Sequence, residues 1–345
     1  MNPIALRLLN QQLYAPEFTS PAEVVRHMCA MQAQDYRMMR WAVAMRTRRA
    51  SHEAFRKAYD SGEIVRVHLL RGTWQLLSSK DYAWMLSLCA PRAIAVINGW
   101  MKAGGISISA KESSQIQSIL VRVAEEQGSV TKEDFEQALI EHDIVMDEHR
   151  LSYHIRMAEL GGVLCSGDLH PKKATYALTS KKISHSVVLS NEEALAQMAR
   201  RYFISRAPAT LDDFVWWSGL NIGECRQAVA MLGDELHVEQ IDGRAFYLHE
   251  KSRTRGYRSG KSLLLPPYDE YLISYKSRDM VLPTEHTPRA HSNNGIFYPV
   301  VVRDGVICGN WKPYTKRLQT TFFATSECMP PLDGEWEEYQ QYLVR

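Results

Sequence analysis

Apolar residues recur at helical spacing through most of the first sixty positions. Leu6, Leu8, Leu9 and Leu13 predict one helix, Val24, Val25, Met28 and Met31 a second, and Met38, Met39, Ala42 and Met45 the buried stripe of another; Ala54 to Tyr59 belongs to one more. The second has a sharp start. Ser20-Pro21-Ala22-Glu23 is a capping box with proline at the first helical position, which satisfies the backbone N–H groups that a helix start leaves unpaired. The pattern then changes. Ile64 to Leu70 and Thr73 to Leu77 are strand-like, with Arg71-Gly72 between them. Helices followed by a β-hairpin are the plan of a winged-helix unit. Asp81 opens a further helical stretch to about Asn98, which Gly104-Gly105 breaks.

The same order of patterns then occurs twice more. Ser114 to Glu126, a capped start over Ser129 to Phe135, and Asp147 to Leu160 predict three helices, and Val163 to Gly167 with Tyr176 to Leu178 a hairpin. Later, Glu192 to Phe203, Ala209 to Phe214 and Ile222 to Leu232 repeat the helices. Leu236 to Gln240 against Ala245 to Leu248, turned by Asp242-Gly243, repeats the hairpin. Beyond a basic linker, Lys251 to Arg258, the chain becomes β-rich: Leu263 to Leu265, Ile296 to Val302, Val306 to Cys308 and Leu318 to Phe323 are strand candidates, punctuated by Pro266, Pro267, Pro283, Asp304-Gly305 and Pro313. The expected fold is α+β: three tandem winged-helix motifs (1–110, 111–188 and 189–258), then a small C-terminal β-barrel over 259–345.

Composition adds little, because 45% hydrophobic and 23% charged residues describe an ordinary globular chain. The net charge of +2 is unevenly spread. Arg37 to Arg71 holds nine Lys/Arg against three Asp/Glu, and Lys251 to Arg289 eight against four. Glu125 to Glu148 holds nine acids and one lysine, and five acids follow from Glu327 onward. Two basic faces suit a polyanion held in a groove; an unremarkable surface would show the same counts. Cysteines 29, 89, 165, 225, 308 and 328 have no metal-ligand spacing, which fits a reduced cytoplasmic protein. No apolar run approaches the ~18 residues of a membrane span.

The candidate chemistry lies in Met31-Gln32-Ala33-Gln34-Asp35, at the junction of two predicted helices. On a helix, residues two apart diverge by about 200°; in an extended junction they point the same way. Gln32 and Gln34 therefore present two amides to one spot only if this junction is not helical. The alternative is a pair of polar residues at helix ends. Asp35 is expected to cap the next helix, with orientation of water as the rival role.

The combination of Gln32-Ala33-Gln34, Arg66-Val67-His68-Leu69-Leu70-Arg71-Gly72-Thr73, Leu264-Leu265-Pro266-Pro267-Tyr268-Asp269-Glu270-Tyr271, Gly295-Ile296-Phe297 and Gly309-Asn310-Trp311-Lys312 resembles the AlkZ/YcaQ-like family of bacterial DNA glycosylases. The resemblance spans nearly the whole chain. It implies tandem winged helices with a C-terminal barrel, excision of N7-alkylated purines, and interstrand crosslinks as a further substrate of some members. It places Gln32 and Gln34 as the catalytic pair of the Gln-x-Gln branch. Gln75 and Asn310 depart from the common pattern, where histidine and threonine are frequent.

The chemistry agrees with that implication. A glutamine carbonyl accepts a hydrogen bond from water and its NH2 donates one, but it is too weak a base to take a proton at neutral pH. Positioned water suffices only for an activated leaving group. An N7-alkylated purine carries positive charge and departs neutral. No lysine nucleophile, metal or other cofactor is implied, so a monofunctional hydrolase acting as a monomer on double-stranded DNA is expected. Candidate DNA contacts are Arg37, Arg66, His68, Arg71, Arg253, Arg255, Arg258, His286 and Arg289. Arg66 and Arg71 could instead belong to a solvated wing, His68 to a satisfied hairpin interior, and His286 and Arg289 to a surface turn. Asp269 is expected to hold structure, and Trp216, Trp217 and Trp311 to be core. The competing functions are a non-catalytic winged-helix regulator, which would bind palindromic sites as a dimer, and a scaffold for other proteins.

Overall fold

The computed structural model describes residues 2–323 and 331–344; Glu327 and Cys328 lie outside the described residues. The chain divides into two compact units, one made of Met1–Phe55 with Leu195–Arg345, the other of Arg56–Ala194.

Within Arg56–Ala194, strands Ile64–His68 and Trp74–Ser78 pair antiparallel from Ile64↔Ser78 to His68↔Trp74. Their connection turns through Arg71 (φ 55°) and Gly72 (φ 71°). The helix Tyr82–Ala103 follows and ends at Gly104. Next come helix Ala110–Gln127, the short strand Val130–Thr131, helices Lys132–Ile140 and Glu148–Leu160, and a hairpin of Leu164–Ser166 with Thr175–Leu178. Strand 175–178 is central, flanked by 130–131 and 164–166. Three of these helix starts are written locally. Ser109 accepts from the Glu112 amide, Thr131 and Asp134 form a capping box, and Asp147 accepts from the amides of His149 and Arg150. Ile116, Leu120, Val123, Phe135, Leu151, Ile155 and Tyr176 close one core beneath them.

The unit of 1–55 and 195–345 begins with helices Pro3–Asn10 and Pro21–His27, strand Ala30–Gln32 and helix Met39–Ala44. The predicted capping box at Ser20 and Glu23 is present. After the helix Asn191–Ser205, whose residues from Leu195 belong here, come helices Leu211–Ser218 and Ile222–Leu232 and the hairpin Leu236–Ile241/Arg244–His249. Its turn residues, Asp242 (φ 49°) and Gly243 (φ 72°), are both left-handed, as a two-residue hairpin turn requires.

The C-terminal strands correct one expectation. Ser262–Leu265, Val300–Arg303, Val306–Trp311 and Thr320–Phe322 form an open antiparallel sheet among the described residues, not a closed barrel. Four strands of three to six residues are too few and too short to curl round a filled interior. Both faces are covered instead. Leu263, Leu265, Val300 and Val302 face a cluster with Tyr271, Leu282, Ala290 and Phe297. Leu264 and Val301, one step out of phase, face Trp41, Trp311, Tyr339 and Tyr342. The last two residues lie on helix Asp333–Val344, in a stretch whose acids drew attention in the sequence but whose apolar positions Leu332, Trp336, Tyr339 and Tyr342 carried the helix. Trp217 and Trp311 are buried as expected, whereas Trp216 is partly exposed and donates its indole N–H to Ile273 O at 2.9 Å.

Candidate active site

The segment that carries Gln32 and Gln34 is not helical. Helix Pro21–His27 ends at Met28, Cys29 turns through φ 63°, and Ala30–Gln32 is extended. Gln32 is buried at 6% exposure; Gln34, two residues on, is exposed. The side chain of Gln32 accepts from the Ala33 amide at 3.1 Å. The Asp35 carboxylate accepts from the amides of Arg37 (3.0 Å) and Met38 (2.9 Å) in the turn before helix Met39–Ala44, whose N-cap is Met38, not Asp35 as expected, and carries no side-chain cap.

Beneath the junction lies a buried charged network that the sequence did not disclose. The Gln32 amide donates to Glu270 Oε1 at 2.6 Å. Arg206 donates from Nη2 to Glu270 Oε2 at 2.6 Å and to Ala30 O at 2.9 Å, and from Nη1 to Met28 O at 2.8 Å. Its guanidinium also lies 4.4 Å from the centre of the Trp217 ring, and Ser274 bridges to both partners. Burial pushes the Glu270 carboxyl up, yet the Arg206 charge and the hydrogen bonds from Ser274, Arg206 and the Gln32 amide outweigh it and leave the group below the ordinary carboxylate range. Glu270 thus stays an anion in the interior and accepts from the backbone of Gln32. Glu270 sat inside a quoted motif; Arg206 had no local signal at all.

Around Asp35 the rim is aromatic. Tyr314 donates to Asp35 Oδ1 at 3.3 Å, and the exposed Arg37 guanidinium lies 3.8 Å from the centre of its ring. Tyr268 and Tyr314 both have hydroxyl pKa values raised, first by burial and then by the Asp35 charge. Asp269, next to Glu270, is structural as expected: Arg46 grips it with two hydrogen bonds of 2.7 and 2.9 Å, both side chains buried.

The other sequence candidates fall into two groups. Arg66 and His68 are buried: the Arg66 guanidinium stacks 4.3 Å from the Trp74 ring centre, and His68 pairs with Glu159. Burial lowers the His68 pKa despite that carboxylate. Arg253 is spent on the carbonyls of Leu9, Tyr14 and Ala15, at 3.4, 3.3 and 3.0 Å, and on Glu17. For these three, hairpin packing and helix termination compete with phosphate contact. Arg37, Arg255, Arg258 and Arg289 are exposed, and Arg71 is half-buried. Arg289 donates to Phe323 O at 3.1 Å, and the His286 ring lies 5.0 Å from Phe323, so the segment 284–290 rests on the sheet. No group of three or more His, Cys, Asp or Glu among the described residues is placed to hold a metal ion. No described helix is long and apolar enough to cross a membrane.

Comparison with known proteins returns a family of DNA-acting enzymes with this fold. Residues 25–331 match the model of the AlkZ-like DNA glycosylases, and the chain belongs to that family. It is therefore an enzyme of the class that hydrolyses N-glycosyl bonds in DNA. An interstrand DNA cross-link repair glycosylase of Streptomyces sahachiroi is 26% identical over 342 residues, covering 94% of this chain and 91% of the relative. The solved structure of the Streptomyces sahachiroi DNA glycosylase AlkZ is similar in fold, with a TM-score of 0.78 at 22% identity, over 99% of this chain and 95% of that one.

Proposed function

We propose that the protein is a monofunctional glycosylase for cationic N7-alkylated purines, with Gln32 and Gln34 as its catalytic pair, and that it also unhooks interstrand crosslinks, a reading supported by its Streptomyces relative being named an interstrand DNA cross-link repair glycosylase. The observation that carries this reading is the clamp on Gln32. A carboxamide orients water well only if its backbone is fixed, and the Gln32 amide is tied to a buried anion that Arg206 holds in turn. Gln34, exposed two residues later, supplies the second amide on the solvent side. Neither amide can act as a base, so the leaving group must already be charged. The helix, strand and hairpin orders of 21–78, 110–178 and 191–249 support three winged-helix units as the DNA-holding body. Phosphate contact falls to the exposed Arg37, Arg255, Arg258 and Arg289, with Arg71 at the hairpin turn.

The test uses one duplex with a single N7-methylguanine and another with an interstrand crosslink, each incubated with protein and then treated with alkali. We expect breaks at the lesion with the wild type. Gln34→Ala, at an exposed position, should lose at least 100-fold in rate with its thermal unfolding unchanged. Normal excision by both Gln32→Ala and Gln34→Ala would overturn the assignment.

A further inference from the structure

We propose that Asp35 and Tyr314 form a charge-selective subsite beside the glutamine pair, which seats the cationic ring of an N7-alkylated purine and disfavours its neutral counterpart. This rests on the reading of Gln32 and Gln34 given above and names what in that site recognises the lesion.

Asp35 directly follows the exposed Gln34 and is itself half-buried. Its Oδ1 accepts from the amides of Arg37 and Met38, at 3.0 and 2.9 Å, and from the Tyr314 hydroxyl at 3.3 Å. No described residue donates to its Oδ2. One oxygen therefore fixes the carboxylate, and the other keeps its accepting capacity.

Tyr314 is held there against a local cost. Its φ of 65° is left-handed, a region that bulky side chains rarely enter. Tyr268 is left-handed too, at 58°, and these two are the aromatic members of the positive-φ non-glycine set among the described residues. Burial first, and the Asp35 charge second, push both hydroxyls up, so both tyrosines lie close to this carboxylate. Glycine or asparagine would occupy either turn at less cost. Tyr314 also stays 40% exposed, so its ring is not spent on the core.

The structure shows what kind of group this place accepts. The Arg37 guanidinium rests 3.8 Å from the centre of the Tyr314 ring, and among the described residues it pairs with no carboxylate. A guanidinium is a flat, delocalised cation, and the face of an aromatic ring attracts such a group through its quadrupole. An N7-alkylated purine is likewise a flat ring with delocalised positive charge. Arg37 is exposed, so a phosphate of the duplex can draw it off and leave the ring face to the lesion, with the Asp35 carboxylate at the hydroxyl edge. Because the base becomes neutral as it departs, the subsite strengthens the bound state and not the transition state. Its effect lies in recognition.

Two duplexes that differ in one nucleoside test this. One carries 2′-fluoro-N7-methylguanosine, a cation; the other carries 2′-fluoro-7-methyl-7-deazaguanosine, a neutral ring of the same shape. The fluorine holds the glycosidic bond, so affinity is read without turnover. We expect the wild type to bind the cationic duplex tighter by about fivefold or more. Asp35→Asn keeps the acceptor for the two amides and deletes the charge. Tyr314→Gly deletes the ring and suits the left-handed backbone. Each should reduce the preference to below about twofold, and a folding defect in one variant leaves the other as the test. The ratio of affinities cancels any general loss of duplex binding. A wild type that binds both duplexes equally, or a preference that survives both substitutions, would overturn the subsite. A preference that vanishes with Asp35 and with Tyr314 would support it whichever residues cleave the bond, which excision by the glutamine variants decides separately.

Discussion

In the unit built from residues 1–55 and 195–345, Arg46 pairs with Asp269 and Arg206 with Glu270, and all four side chains are at most 3% exposed. The unit 56–194 pairs Lys132 with Glu148, Lys173 with Glu133 and Lys181 with Glu125, and in each of these at least one partner is more than half exposed. The buried pairs join segments 223 and 64 positions apart and the exposed ones segments 16 to 56 apart, although the second unit also buries His68 against Glu159, 91 positions away. A surface pair contributes little, while loss of one member of a buried pair leaves a charge stranded out of water. The first unit therefore relies on a few irreplaceable long-range contacts, placed under the segment that carries the glutamines. The second sets several such pairs at its surface.

That contrast can be broken experimentally. Arg206→Met leaves Glu270 a buried anion without its cation and should cost about 3–5 kcal/mol, read as a drop in the denaturant midpoint. Glycosylase activity should fall with it, because the Gln32 amide loses a fixed acceptor. A loss below about 1 kcal/mol would mean that the network is solvated.

Acid gives a second handle on the same unit. His27, bonded to Asn10 O at 2.8 Å, has its pKa lowered to about 4, chiefly by burial. Its unfolded value near 6.5 is higher, so the unfolded chain takes up the proton first. Stability is then unaffected above pH 6.5, declines as the pH falls from 6.5 to about 4, and loses nothing further below that from this group. Allowing for the partial exposure of the ring, the decline should be roughly 1–2 kcal/mol. It should shrink in His27→Gln when unfolding is followed across that range.

The smallest effect belongs to the second unit. Thr131→Ala removes a capping-box side chain and should cost about 1 kcal/mol, with excision kinetics nearly unchanged. A cost as large as that of Arg206→Met would erase the distinction between the two units.

The same distinction governs how much could be read from the chain alone. The capping box at Ser20, the capped start over Ser129 to Phe135 and the turn at Asp242-Gly243 are local chemistry, and they predict elements that the structure contains. The glutamine pair is visible too, but the sequence leaves open whether its junction is helical, and the strand Ala30–Gln32 makes it extended. What could not be read is contact across long sequence separation. Arg206 looks like any surface arginine until Met28, Ala30 and Glu270 are brought to it. Arg66 and His68 are candidate DNA contacts by sequence, with a solvated wing and a satisfied hairpin interior as their alternatives; both are buried, against Trp74 and Glu159. The barrel was inferred from strand count, which does not reveal whether the outer strands meet.

The hydrogen bond from Gln32 to Glu270 spans 238 positions. A ribosome adds about 5–20 residues each second, so the glutamine emerges on the order of 10–50 s before the carboxylate that anchors it. During that interval the nascent chain already exposes the Gln32–Gln34 segment but lacks the carboxylate that its backbone donates to. Anchoring of the Gln32 backbone is consequently among the last events in the birth of the molecule, after the intervening 56–194 unit has left the tunnel.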